Sequence, residues 1–286
     1  MHGCGNDFVL VDETKTRILE ESLRSRFAKE TCDRHRSIGA DGVVFLRRAR
    51  RRNAALAASF FMPDGSEAEM CGNAVRCISA YAVYAGISSI GKKLDIVTMG
   101  RTIRASVINQ RQNIFMVEAS LGKPKLAPQQ IPISAVGESF IGRKILVPVF
   151  GEIEVTALNT GVPHAVIFVD DVQRIEVERL GRAVRHMSET FPRGTNVNFV
   201  ESTDALKIRT YERGVEHETL SCGTGIAASV VAAYLTGRVK ANKPVATVTK
   251  GGRMVVRIMT KKGKLENIVL TGPAEMVFQG ETWFHP

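Results

Sequence analysis

Two cysteines of this chain each open a glycine-bearing, charge-poor run: Met70-Cys71-Gly72-Asn73-Ala74-Val75-Arg76 and Ser221-Cys222-Gly223-Thr224-Gly225-Ile226-Ala227. Each has a glutamate four residues before the cysteine, Glu67 or Glu218, and each continues into small and branched apolar residues that reach a tyrosine, Tyr81 or Tyr234. The cysteines lie about half a chain length apart. A further echo precedes them, since Gly39-Ala40-Asp41-Gly42-Val43-Val44-Phe45 stands before Cys71 much as Gly194-Thr195-Asn196-Val197-Asn198-Phe199 stands before Cys222. The pattern predicts an internal duplication, with a cysteine at the start of the same helix in each half.

At 286 residues the chain is long enough for two halves that each bury a core. Short β-type runs recur from Phe8–Val11 to Glu275–Gln279, separated by Gly100, Gly151, Gly161, Gly251-Gly252, Gly263 and Gly272-Pro273, which predicts mostly antiparallel strands. Four helices are expected. Residues 18–31 and 176–188 are amphipathic, whereas 72–86 and 223–236 are apolar nearly all round. A helix apolar on every face is buried, so the fold class is α+β: two pseudo-symmetric domains, each a curved, mostly antiparallel sheet around a central apolar helix. The expected halves are residues 1–118 with 271–286, carrying Cys71, and residues 119–270, carrying Cys222.

Charge and cysteine usage narrow the function classes. Five cysteines are too few and too odd in number for a disulfide framework. The N-terminus lacks the basic-then-apolar pattern of a secretory signal, and no apolar stretch reaches membrane-spanning length. The expectation is a cytoplasmic protein with reduced thiols and no membrane partner. The net charge of +10 and the run Arg47-Arg48-Ala49-Arg50-Arg51-Arg52 raise the alternative of a basic nucleic-acid-binding protein. That run sits between apolar segments and lacks interleaved aromatics to stack bases, so it reads as a solvated hairpin tip. No nucleic acid is expected.

The chemistry follows from the helix starts. Unpaired N–H groups and the positive end of a helix dipole favour a thiolate, by an amount on the order of one pKa unit. The same N–H groups at Gly72, Gly223 and Gly225 suit a carboxylate. One thiolate and one thiol on opposite sides of an amino acid's α-carbon then invert it: the first removes the α-proton and the second delivers another. Donors aimed at the α-carboxylate stabilise the carbanionic transition state, and the scheme calls for no cofactor. Cys4, Cys32 and Cys77 read as small buried hydrophobes. Cys32-Asp33-Arg34-His35 lacks a second pair at zinc spacing, so no metal is expected. A Cys–His acyl-transfer site using His164 leaves the second cysteine run unexplained. Asn6, Asn73, Asn196, Glu212 and Arg213 by themselves read as caps or surface pairs.

Together these residues resemble diaminopimelate epimerases over essentially the whole chain. The matching stretches are HGCGNDF (2–8), CDRHRSIGADG (32–42), PDGSEAEMCGNAVRC (63–77), TGVPHAVIFVDD (160–171), GTNVNFV (194–200), YERGVEHETLSCGTG (211–225) and TGPAEMVFQGE (271–281). The resemblance implies a homodimeric isomerase interconverting LL- and meso-diaminopimelate in lysine biosynthesis, independent of pyridoxal phosphate, with the C-terminal strand returning to the first domain. It implies Cys71 and Cys222 as the catalytic acid/base pair, with His164 and Glu212 as supporting polar residues. Gly72-Asn73 and Gly223-Thr224 would cradle the α-carboxylate, and Asn6, Asn196, Glu212 and Arg213 would contact substrate. Two positions where the family often has asparagine read Met62 and Val162. They are expected to face the substrate, so a paired-cysteine proline or hydroxyproline racemase, with another side-chain specificity, is the rival enzyme.

Overall fold

The computed structural model describes residues 1–49, 56–68, 72–99 and 101–285. Two compact units account for the chain, Met1–Ser120 with Thr271–Pro286, and Leu121–Leu270. Both are α+β.

In the first unit the strands are β1 (His2–Gly3), β2 (Asn6–Asp12), β3 (Gly42–Arg48), β4 (Leu56–Phe61), β5 (Glu67–Ala68), β6 (Leu94–Thr98), β7 (Arg101–Arg111) and β8 (Ile114–Gly122). In the second they are β9 (Phe140–Val147), β10 (Gly151–Asn159), β11 (Pro163–Phe168), β12 (Asn196–Ser202), β13 (Leu206–Glu212), β14 (His217–Thr219), β15 (Pro244–Thr249) and β16 (Gly252–Lys261), while β17 (Lys264–Glu275) begins in the second unit and passes into the first at Thr271. The helices are α1 (Arg24–Thr31), α2 (Gly72–Tyr84), α3 (Val177–Arg185) and α4 (Gly223–Leu235).

The units repeat one wiring. In the first, β2 runs parallel to β3, β3 antiparallel to β4, β4 antiparallel to β5 and parallel to β6, and β6 antiparallel to β7. The second repeats each of these pairings with β11, β12, β13, β14, β15 and β16 in the same order. Parallel pairs need a long crossover, and the helices supply it: α1 joins β2 to β3, α2 joins β5 to β6, and α3 and α4 do the same in the second unit.

The central helices are buried because they have no polar face to turn outward. Every residue from Gly223 to Ala233 is buried, and α4 packs against β10, β11, β12, β13 and β16, so the sheet bends around it. Its C-terminus closes with Arg238 N–H donating to the Ala233 carbonyl, which turns the chain off the helix axis. α2 is buried from Gly72 to Ala80 and packs against β1, β2 and β7. It carries one charge inward. Arg76 is fully buried, its Nε donating to the Pro273 carbonyl at 3.1 Å and its guanidinium lying beside Cys4.

Several expected boundaries change. The helix expected over 18–31 begins as a turn at Glu21 and becomes α-helical only at Arg24, because the Glu13 carboxylate accepts the Ile18 and Leu19 N–H groups at 3.1 and 2.9 Å and holds that stretch outside the helix. α3 likewise stops at Arg185, short of residue 188. The turn expected at Gly272-Pro273 is absent. β17 runs straight through it to Glu275, and residues 276–285 have no regular structure, so the strand expected over 275–279 does not form beyond Glu275. β9 was not expected, since Gly142, Arg143 and Lys144 interrupt its apolar pattern. Only Phe140, Ile145 and Val147 face inward. The tip of the arginine-bearing hairpin, residues 50–55, lies outside the described residues, while Arg47 on its β3 arm donates to Glu21 at 2.7 Å and to Ser59 at 3.2 Å.

A smaller core lies on the outer side of the first unit, where Phe27, Ala28 and Cys32 of the α1 region meet Val43 and Phe45. Beside it is a buried ion pair between Arg24 and Glu13, both side chains no more than 2% exposed, with the Arg24 guanidinium stacked 4.7 Å over the Phe45 ring. Removing one partner leaves the other charge buried. Glu13→Ala is therefore expected to cost about 3–5 kcal/mol in urea denaturation, far more than Glu30→Ala, which breaks the exposed Arg26–Glu30 pair.

Candidate active site

In the first unit the polar residues form a relay that starts at the surface. Arg34, about half exposed, donates to both Asp7 carboxylate oxygens at 3.0 and 2.7 Å and to Asp41 at 2.7 Å. Asp41 accepts from Asn6 Nδ2 at 2.6 Å, and Asn6 Oδ1 accepts from Asn73 Nδ2 at 3.0 Å. Asn73 is 2% exposed and occupies the first turn of α2. Burial pushes the Asp7 carboxyl up, but hydrogen bonding and charge from Arg34 outweigh it and hold it below the usual carboxylate range. The relay depends on a close backbone approach. Gly39, at φ +75°, lies where a Cβ would come within 2.7 Å of Arg34 Cα. Cys71 itself lies outside the described residues; Gly72, which follows it, begins α2 and is buried. Met62 is partly buried and packs against the first unit's main core.

The second unit gathers its residues at the starts of β11, β12 and α4 and the end of β13. Cys222 is the residue preceding α4, extended at φ −115° and ψ 106°, and its carbonyl accepts the Ile226 N–H at 2.9 Å. It is 5% exposed, and its Sγ lies 3.5 Å from Thr224 Oγ1. Thr160 donates to the Thr224 carbonyl at 2.8 Å, fixing the loop before β11 to the first turn of α4. Asn196 donates to the Pro163 carbonyl at 3.0 Å and accepts from the Arg213 N–H at 2.8 Å, while Arg213 Nη1 donates to the Arg193 carbonyl at 3.1 Å. Glu212 accepts from Thr219 Oγ1 at 2.9 Å. Val162 is half-buried just before β11. Glu218, four residues before Cys222, is pinned by both arms of Arg209 at 2.7 Å and by Lys250 at 2.8 Å, so it secures β14.

His164 is fully buried, and burial first, with the Arg213 charge second, pushes it down to about 3. Its ring is neutral at physiological pH. His164 stands opposite Asn196 in the parallel β11–β12 register, and its Nδ1 lies 3.1 Å from Asn198 Nδ2. Asn198 is a residue sequence reasoning passed over. It falls two positions after Asn196, on the same face of β12, and strand alternation was the signal for it. It also approaches the start of α4: a Cβ on Gly225 would lie 2.3 Å from Asn198 Oδ1. Arg34, Asp7, Asp41 and Thr160 stand within the quoted motif stretches but were given no role, being partners of the candidate residues.

The remaining thiols lie in cores. Cys4, Cys32 and Cys77 are at most 5% exposed. Burial, with the Asp41 and Asp7 charges, raises Cys32 to about 11, and burial raises Cys4 against the opposing pull of Arg76. Such thiols stay protonated. Among the described residues no group of three or more His, Cys, Asp or Glu is placed to hold a metal, and no helix is long and apolar enough to cross a membrane.

Comparison with known proteins bears on what this arrangement serves. The family model for diaminopimelate epimerase matches residues 1–127 and 156–277. The diaminopimelate epimerase of Methanocella arvoryzae is 43% identical over 98% of this chain and 94% of its own length. The chain belongs to the diaminopimelate epimerase family. The Aquifex aeolicus diaminopimelate epimerase is 39% identical over 98% of this chain and 95% of the relative. Fold similarity reaches further than the diaminopimelate epimerases. A hydroxyproline epimerase from Agrobacterium vitis matches at TM-score 0.66 and 16% identity, covering 96% of this chain and 89% of that one. A probable proline racemase from Agrobacterium radiobacter matches at TM-score 0.67 and 14% identity, covering 97% and 92%. At that identity the likeness is one of fold.

The Gly225 contact yields a direct test. Gly225→Ala forces its methyl group into Asn198 Oδ1, and overpacking of this kind costs about 1–3 kcal/mol. Thermal or urea denaturation should register that loss, whereas Gly280→Ala, with open space around its Cβ position and no left-handed backbone, should cost less.

Proposed function

We propose that this chain is a cofactor-independent epimerase that interconverts LL- and meso-diaminopimelate in lysine biosynthesis, with Cys71 and Cys222 as its two bases. The observation that carries the reading is family membership over nearly the full length of the chain. The placement of Cys222 at the N-terminus of a buried helix supports it. A thiol there meets N–H groups with no partner inside the helix, and these favour its anion.

In the proposed reaction one cysteine, as thiolate, takes the α-proton while the other, as thiol, protonates the opposite face. The roles exchange for the reverse direction. Backbone N–H groups at Gly72-Asn73 and Gly223-Thr224 hold the α-carboxylate, where charge gathers in the transition state, so their contribution is greatest at that point. Asn6 and Asn73 are kept in register by the Arg34 relay. His164 and Glu212 act as polar support, and Glu212 with Asn196 also contacts substrate. Arg213 suits the distal carboxylate, because a guanidinium fork grips a carboxylate with two parallel bonds. Met62 and Val162 bring apolar surface where amides are common, so recognition of the distal end rests on Arg213 and Asn196. A homodimer acting in the cytoplasm completes the reading.

Incubation of the reduced enzyme with LL-diaminopimelate in deuterated water should give meso product carrying α-deuterium. Absence of both exchange and inversion would sink the proposal. Cys71→Ala and Cys222→Ala are each expected to lower kcat by at least about 100-fold, the usual scale of a lost acid or base. Wild-type turnover by either variant would refute the two-base scheme. Equal turnover of proline or hydroxyproline would move the reading to the rival substrate class.

A further inference from the structure

His164 is a buried imidazole whose two nitrogens have different surroundings, and the difference traces to Asn198. The Asn198 side chain is fully buried between β11 and β13. Its Nδ2 lies 3.2 Å from the Ala165 carbonyl oxygen and 3.1 Å from His164 Nδ1, while its Oδ1 accepts from Thr210 Oγ1 at 3.0 Å. A backbone carbonyl can only accept, so the NH2 end of the amide must face Ala165. Turning the amide over would set two acceptor oxygens against each other. The second hydrogen of the same NH2 group then points to His164 Nδ1. A nitrogen that receives a hydrogen bond offers its lone pair, so in a neutral ring the proton sits on the other nitrogen. Nε2 is buried and has no hydrogen-bond partner among the described residues.

We propose that Asn198 is a positioning residue that holds His164 as the neutral tautomer protonated on Nε2, so that the ring serves the reaction as a hydrogen-bond donor and not as a base. The kinetic part of this inference rests on the epimerase reading; the tautomer does not. Surroundings favour the neutral ring throughout. Arg213 repels a positive charge on His164. Of the elements packed on β11, α4 carries no Asp, Glu, Lys or Arg, and the residue at its start is the Cys222 thiol. Glu154 on β10 lies four residues from Leu158, which pairs with His164, and Glu152 lies further still. Glu201 on β12 lies five residues from Asn196, which also pairs with it, and is engaged by Lys207. A ring protonated on Nε2 can stabilise developing negative charge without itself changing protonation state.

Asn198→Asp reverses the logic with almost no change in shape. The carboxylate accepts from Nδ1, drives the proton there, and raises the ring's affinity for a second proton. The experiment is two-dimensional NMR of the full-length enzyme with 15N-labelled histidine, His164 being assigned by comparison with His164→Gln. In the wild type the His164 proton is expected on Nε2 with no titration between about pH 6 and 8, the range of an ordinary histidine. In Asn198→Asp the proton is expected on Nδ1, with a titration entering that range. kcat for diaminopimelate should then fall about 100-fold, the scale of a lost transition-state donor, with KM changed less than about threefold and a new loss of activity on the acid side. A wild-type ring protonated on Nδ1, or one titrating near neutrality, would overturn the proposal even if Asn198→Asp failed to fold. So would an Asn198→Asp enzyme that lost activity while its ring kept the wild-type state, because the role would then be merely structural. The expected tautomer in a wild type inactive on diaminopimelate would leave this inference standing and remove the epimerase reading instead.

Discussion

A helix buried on all sides can offer chemistry only from its end. α4 has no face on which a polar group meets solvent, since the strands of its own unit enclose it from Gly223 to Ala233. The N–H groups of its first turn are the part of the helix left to interact with anything else, because intrahelical bonding begins only after them. Burial thus limits where the helix can offer a polar group. The side chains that keep the helix apolar are what make its N-terminus the polar point of the unit, and Cys222 stands there.

Everything around that point serves to hold it still. Thr160 fastens a loop to the first turn, Gly225 lets Asn198 approach the helix, and Asn196 ties β11 to the chain bearing Arg213. The first unit reaches the same end by other means, through a chain of side chains from Arg34 to Asn73. The units share strand order, but their polar supports differ: an ion-paired carboxylate, Asp41, at the start of one strand, and a neutral amide, Asn196, at the start of its counterpart. Repetition of the backbone has left the side-chain wiring free to diverge.

The fold was legible in the sequence to the extent that it is written in apolar periodicity. α2 and α4 could be read because both lack charge over long stretches, and most strands because turn glycines bracket them. Where the reading failed, a side chain engaging the backbone decided the outcome. Glu13 captures the N–H groups of residues 18 and 19, and Pro273 stays within β17 with its carbonyl engaged by Arg76. β9 shows the opposite limit, since three inward residues suffice for a strand when a partner is already in place. At the site, the cysteine-glycine runs were visible because duplication marks them. Asn198 and Asp41 were not, because their importance lies in what they hold rather than in any chemistry of their own.

Arg34 shows what such dependence means for a surface. Its guanidinium is half in water, yet it holds two carboxylates, and one of those orients the amide that orients Asn73 inside the unit. A solvent-facing position is ordinarily free to drift among polar residues. Here lysine would keep the charge but not the planar fork that reaches Asp7 and Asp41 together. The boundary of the candidate site therefore lies on the outside of the protein, and the catalogue of replaceable surface residues is shorter than exposure alone suggests.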